Sequence, residues 1–130
     1  MYRSLLLLLL VLGCQSEPPV DYSTFTIDQL RTKMSDPDPG VRWKAVFETD
    51  RRDGQAVQVV EELTSLLADE NVEVRRVTTQ TMGTMLMDVK PPYSKEVNRA
   101  IAALRANQDS DAVVQSGIRI ALGIVDSKQK

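Results

Sequence analysis

One spacing restricts this chain's fold more than any other feature, and it occurs three times. An Asp is followed five residues on by an apolar residue and six residues on by a long polar one. The copies are Asp36, Val41, Arg42; Asp69, Val74, Arg75; and Asp109, Val114, Gln115. In each, a short acidic turn leads into an apolar stripe at helical spacing. Arg42, Arg75 and Gln115 stand 33 and 40 residues apart. A self-similar period of this size marks stacked helical units, none of which can bury its apolar face alone. The expected fold is all-α, an α-solenoid of about three helical hairpins (six helices).

Start and stop signals place those helices. Thr26-Ile27-Asp28-Gln29 is a capping box, with Phe25 and Leu30 at the two ends of a hydrophobic staple. That helix runs to about Ser35. Asp38 caps the second, with Pro39 at its first position and Asp53-Gly54 as the turn after it. The third is expected over Gln55 to Ala68. Asn71 starts the fourth, which runs to about Met87, and Pro91-Pro92 breaks the chain. Ser94 and Asp111 start the fifth and sixth. The resulting division is a leader over 1–13, a tether over 14–24, a repeat domain over 25–126 and a polar tail over 127–130, expected to fray.

Histidine is absent, which removes the commonest general base and metal ligand. The one cysteine allows no intrachain disulfide and no Cys metal cluster. A formal net charge of −2 gives no electrostatic basis for binding nucleic acid. No Ser/base pair, phosphate loop or enclosed carboxylate pair stands out, so no enzyme activity, cofactor or metal is expected. Glu61-Glu62 and Arg51-Arg52 read as solvated faces and helix ends, and Met82 and Met85 as core gap-fillers.

Arg3 precedes an unbroken apolar run from Leu5 to Leu12, followed by Gly13 and Cys14. This has the layout of a secretory signal and is too short to span a bilayer as a helix. Val11-Leu12-Gly13-Cys14 resembles the lipobox of bacterial lipoproteins. The resemblance implies a lipid on Cys14, cleavage before it, and a membrane-anchored mature protein in the bacterial cell envelope. Gln15 in place of Asp favours the outer membrane facing the periplasm if the cell is Gram-negative. In a Gram-positive cell the anchor lies in the outer leaflet of the plasma membrane.

Val41-Arg42-x-x-Ala45 and Val74-Arg75, with Met82-Gly83 and Leu122-Gly123 at the helix ends, resemble HEAT repeats of the short HEAT-like type. The third copy departs with Gln115 for Arg, and the first with Thr49-Asp50 for Leu-Gly. Asp36, Arg42, Asp69, Arg75 and Asp109 are expected to be structural, each Arg reaching the turn Asp of a neighbouring repeat. The resemblance implies a scaffold or a module binding a protein or peptide. The alternatives are a lyase-type enzyme of the HEAT-like class acting on a tetrapyrrole, similar to the bilin lyases, and a purely structural envelope protein.

Repeat stacks present extended surfaces made largely by the second helix of each pair. In the first of these, Val41, Ala45 and Thr49 form the core stripe, and Trp43 and Phe47 fall on the opposite side at 100° per residue. The aligned positions are Arg76 and Gln80, then Ser116 and Ile120. A row of Trp43, Phe47, Arg76, Gln80 and Ile120 is the candidate partner surface. The competing expectation has Trp43 and Phe47 covered by the tether through Val20, Tyr22 or Phe25.

Overall fold

Five side chains start five of the six helices in the computed structural model, which describes residues 18–130. Thr26 and Gln29 close the capping box of α1 (Ile27–Lys33). Asp38 caps α2 (Pro39–Asp50) through the Gly40 N–H. Asn71 accepts from Glu73 and Val74 at the start of α4 (Val72–Asp88). Ser94 caps α5 (Lys95–Ala106), and Asp111 caps α6 (Ala112–Lys128). Each satisfies N–H groups that have no partner inside the helix. Gly54, at φ 70°, makes the turn after α2 in a conformation other residues adopt at a cost.

The third helix differs from expectation. A 3-10 turn over Ala56–Val59 precedes a short α3 (Val60–Leu66). Neither Gln55 nor Val59 offers a side-chain cap, so nothing fixes an α-helical start at Gln55. The tighter turn leaves Ala56, Val59 and Val60 all buried.

The helices pair as α1/α2, α3/α4 and α5/α6. The second helices lie side by side with α4 central, packed against both α2 and α6, while α3 lies beside α5 in the other layer. That position explains why α4 is buried on more than one face. Val74, Val77, Met82, Met85 and Leu86 are buried, together with Thr78, Thr79 and Thr81, whose hydroxyls donate back to main-chain carbonyls. Leu30, Val46, Leu63, Val97, Leu104 and Val114 complete one continuous core. Val41 is only half-buried, and Val46 takes the core position beside Ala45.

Both ends of the stack are closed, by contacts the sequence did not reveal. The tether was expected to extend through residue 24, but Tyr22–Thr24 forms a 3-10 turn against α2. Arg52, expected to be solvated, is half-buried and donates to the carbonyls of Phe25 (2.6 Å), Tyr22 (3.1 Å) and Ser23 (3.2 Å). At the other end the tail does not fray at 126. α6 continues to Lys128, whose Nζ donates to the carbonyls of Leu86, Met87 and Val89, each at 2.7 Å. One ammonium thereby satisfies the carbonyls left free where α4 stops. The outer stripe of α6 is mostly polar: Gln115, Arg119 and Asp126 stand where α4 has Arg75, Thr79 and Leu86, with Leu122 half-buried among them, and Asp126 binds Arg105 at 2.7 Å.

Candidate functional site

The repeat turns build a ladder. Arg42 grips the Asp69 carboxylate of the next turn with Nε (2.7 Å) and Nη2 (2.9 Å). Its Nη1 donates to the carbonyls of Asp36 and Pro37 in its own turn. Arg75 repeats the arrangement one unit on, with Nε 2.5 Å from Asp109 and Nη1 on the carbonyls of Asp69 and Glu70. Gln115 keeps only the inward half, its amide donating to the Asp109 carbonyl at 2.9 Å. Asp36, at the first turn, accepts from its own turn's Asp38 N–H and has no arginine partner among the described residues.

These contacts set the carboxylates' protonation. Burial works against the charge on Asp69, but the Arg42 guanidinium and the Asn71 N–H outweigh it, and its pKa is lowered. The Asp111 N–H, ahead of Arg75, lowers that of Asp109 against the cost of burial.

A groove of about 690 Å³ crosses the layer of second helices. Its walls contain all five residues of the candidate row: Trp43 and Phe47 from α2, Arg76 and Gln80 from α4, Ile120 from α6. Trp43 and Phe47 stack with ring centroids 4.9 Å apart and planes 10° apart. Helical spacing of four residues puts them there. The tether's structured end lies elsewhere on α2: Tyr22 packs on Phe25 beneath Lys44, beside the Arg52 bonds, and Val20 is 61% exposed.

The groove also contains Met87 and Val113, two residues outside the expected row. Met87 stands seven residues after Gln80 and Val113 seven before Ile120, two turns along the same faces. Met87 is 57% exposed, Val113 54% and Ile120 64%. Between them α4 and α6 come close. A Cβ on Gly117 would lie 2.4 Å from Thr79 Oγ1, and one on Gly83 would just touch Ala121.

Arg76 needs a correction. It borders the groove, but its guanidinium is committed to another inter-repeat bridge. Nε and Nη2 hold the two oxygens of Asp111 at 3.1 and 2.7 Å, and Nη1 donates to Glu73 at 2.8 Å. Arg76 also holds the Asp111 carboxyl well below the usual range, helped by the N–H groups that Asp111 caps. Gln80 donates to Asp50 at 3.0 Å and so ties α4 to α2 at the groove wall. The chemistry left free in the groove is mainly apolar and aromatic, with the Ser116 hydroxyl in its wall and the Arg51 guanidinium 6.0 Å from the Phe47 ring centroid.

Cys14 and the leader lie outside the described residues. Among those described, no helix is long and apolar enough to cross a membrane.

Three stacked hairpins joined by an arginine–aspartate ladder define an α-solenoid. The family described as HEAT repeats matches residues 26–123, and the chain belongs to it. Searches of curated proteins and of solved structures found no match.

Proposed function

We propose that this HEAT-repeat domain is a lipid-anchored binding module of the bacterial cell envelope, taking a protein or peptide segment into the groove of its second helices. The observation that carries the binding role is the grouping of exposed apolar side chains there. Met87, Val113 and Ile120 stand around the stacked Trp43 and Phe47. Grouped apolar exposure of this kind marks interaction surfaces, and aromatic residues are enriched at binding hot spots. Support for the anchor comes from the sequence, where Cys14 directly follows the apolar run Leu5–Leu12 and Gly13. Two or more acyl chains hold a protein stably at a membrane. The site is the outer membrane facing the periplasm in a Gram-negative cell, or the outer leaflet of the plasma membrane in a Gram-positive one.

Two experiments test the two halves. Fatty-acid labelling of the wild type and of Cys14→Ser tests the anchor, with label expected only in the wild type. An unlabelled, soluble wild type rejects it. Replacing Trp43 and Phe47 together with Ser tests the groove. Both rings are half-buried against the core, so the expected result is a domain that still melts cooperatively, at a lower temperature, and no longer recovers its membrane partner. Unchanged recovery rejects the groove.

A further inference from the structure

The edge of the groove formed by the helix starts is strongly acidic. Residues 36–43, 69–76 and 109–116, the turns and first helical turns of α2, α4 and α6, hold seven carboxylates against three guanidiniums. The excess of four negative charges exceeds the −2 of the whole chain. Each helix N-terminus offsets about half a charge, so the edge remains negative. The three arginines are also occupied, by Asp69, Asp109, Asp111 and Glu73. Asp36 and Asp38 have no cationic partner among the described residues. Glu70 is 85% exposed and only 3.8 Å from an Arg42 already committed to Asp69. This edge adjoins the groove directly, because Trp43 and Glu73 also line a smaller cleft between the starts of α2 and α4; Lys44 lines that cleft too, one exposed cation against the excess of four negative charges.

Resting on the binding role proposed above, we infer that the groove's occupant is a cationic amphipathic segment of a partner protein. Its apolar residues seat against Trp43, Phe47, Met87 and Ile120, and its lysines or arginines lie along the edge marked by Asp38 and Glu70, the exposed carboxylates that the three arginines leave free. Neighbouring packed helices lie about 8–10 Å apart, so the groove from α2 to α6 spans about 16–20 Å. A helical segment of about 11–13 residues covers that distance at 1.5 Å per residue. This is the helix-in-groove mode of recognition, with charge on the rim choosing the partner.

Trp43 is the only tryptophan in the chain and stands in the groove wall, so its fluorescence reports occupancy. The full chain, held with phosphatidylcholine liposomes, is titrated with two peptides of about 14 residues. Both carry leucines at helical spacing, and the remaining positions are lysine in one and glutamate in the other. Liposomes without protein serve as the blank. The lysine peptide is expected to shift Trp43 emission and to bind more weakly as salt rises. Glu70→Gln removes an exposed charge that caps no helix, and should weaken lysine-peptide binding roughly two- to fivefold. Equal or tighter binding of the glutamate peptide overturns the cationic partner while leaving the groove as a binding site. If neither peptide shifts Trp43, both the inference and the binding role it rests on fail. If lysophosphatidylcholine shifts Trp43 and neither peptide does, the occupant is a lipid chain and the inference is overturned.

Discussion

Both carboxylate oxygens of Asp69 are held by one guanidinium, that of Arg42, across the boundary between the first two repeats. The side chains are 6% and 8% exposed, so the pair is shielded from water and fixed by two parallel bonds. Arg42 also reads its own turn through the Asp36 and Pro37 carbonyls, which makes it the joint between two units. Arg75 is the same joint one repeat later.

Removing either arginine strands a buried carboxylate, a change that costs up to about 3–5 kcal/mol. Arg42→Ala and Arg75→Ala should each lower the melting temperature far more than Arg51→Ala, because Arg51 is exposed. Equal, small shifts for all three in thermal unfolding would remove the ladder's structural role.

The ladder makes stability pH-dependent, with a definite sign. The carboxyls of Asp69, Asp109 and Asp111 have lower pKa values folded than unfolded. Their contribution is complete above the unfolded value near 4 and is lost as pH falls through the folded values. Denaturant midpoints should therefore fall below about pH 4, and Asp109→Asn should flatten that fall. A midpoint that rises on acidification would contradict the assignment.

Two glycines of α6 should respond oppositely to alanine. At Gly117 a methyl group would collide with Thr79, whose hydroxyl is bonded to the Arg76 carbonyl, so overpacking should cost about 1–3 kcal/mol. Nothing lies within 4 Å of a Cβ on Gly123, where alanine should be neutral or stabilise by up to about 1 kcal/mol. Chemical unfolding of the two variants measures both values.

Lys128 should matter more than its place near the chain end suggests. Lys128→Met keeps most of the stem but removes the ammonium that closes α4, leaving three carbonyls without it. Amide exchange at the last turns of α4 and α6 should accelerate, and the melting temperature should drop. Lys130→Met, at an exposed position, is the control.

What the sequence disclosed follows from the range of each interaction. The caps Asp38, Asn71 and Asp111 act within three residues, so they can be read locally. Arg42 reaches Asp69 from 27 residues away, yet it was legible because the repeat maps each turn onto the next. Arg52 and Lys128 act over 27 and 39 residues but have no counterpart in the period, and so neither end of the stack is legible in the sequence. The groove row followed from 100° phasing on α2 and the alignment of α4 and α6. Asp111 was recognised only as a cap, and its bond to Arg76 depends on how far apart α4 and α6 lie. The Gly117–Thr79 approach that sets that distance leaves no sequence pattern of its own.

The most direct test of the account places a photo-reactive phenylalanine analogue at Ile120 in one strain and at Ala102 in another, in the full chain in cells. Ile120 is exposed in the groove, and Ala102 is exposed on α5 in the other layer. Irradiation should yield a discrete crosslinked adduct from Ile120, lost when Trp43 and Phe47 are also changed to Ser, and none from Ala102. An adduct from Ala102 alone, or equal adducts from both positions, would contradict the groove as the partner-binding face.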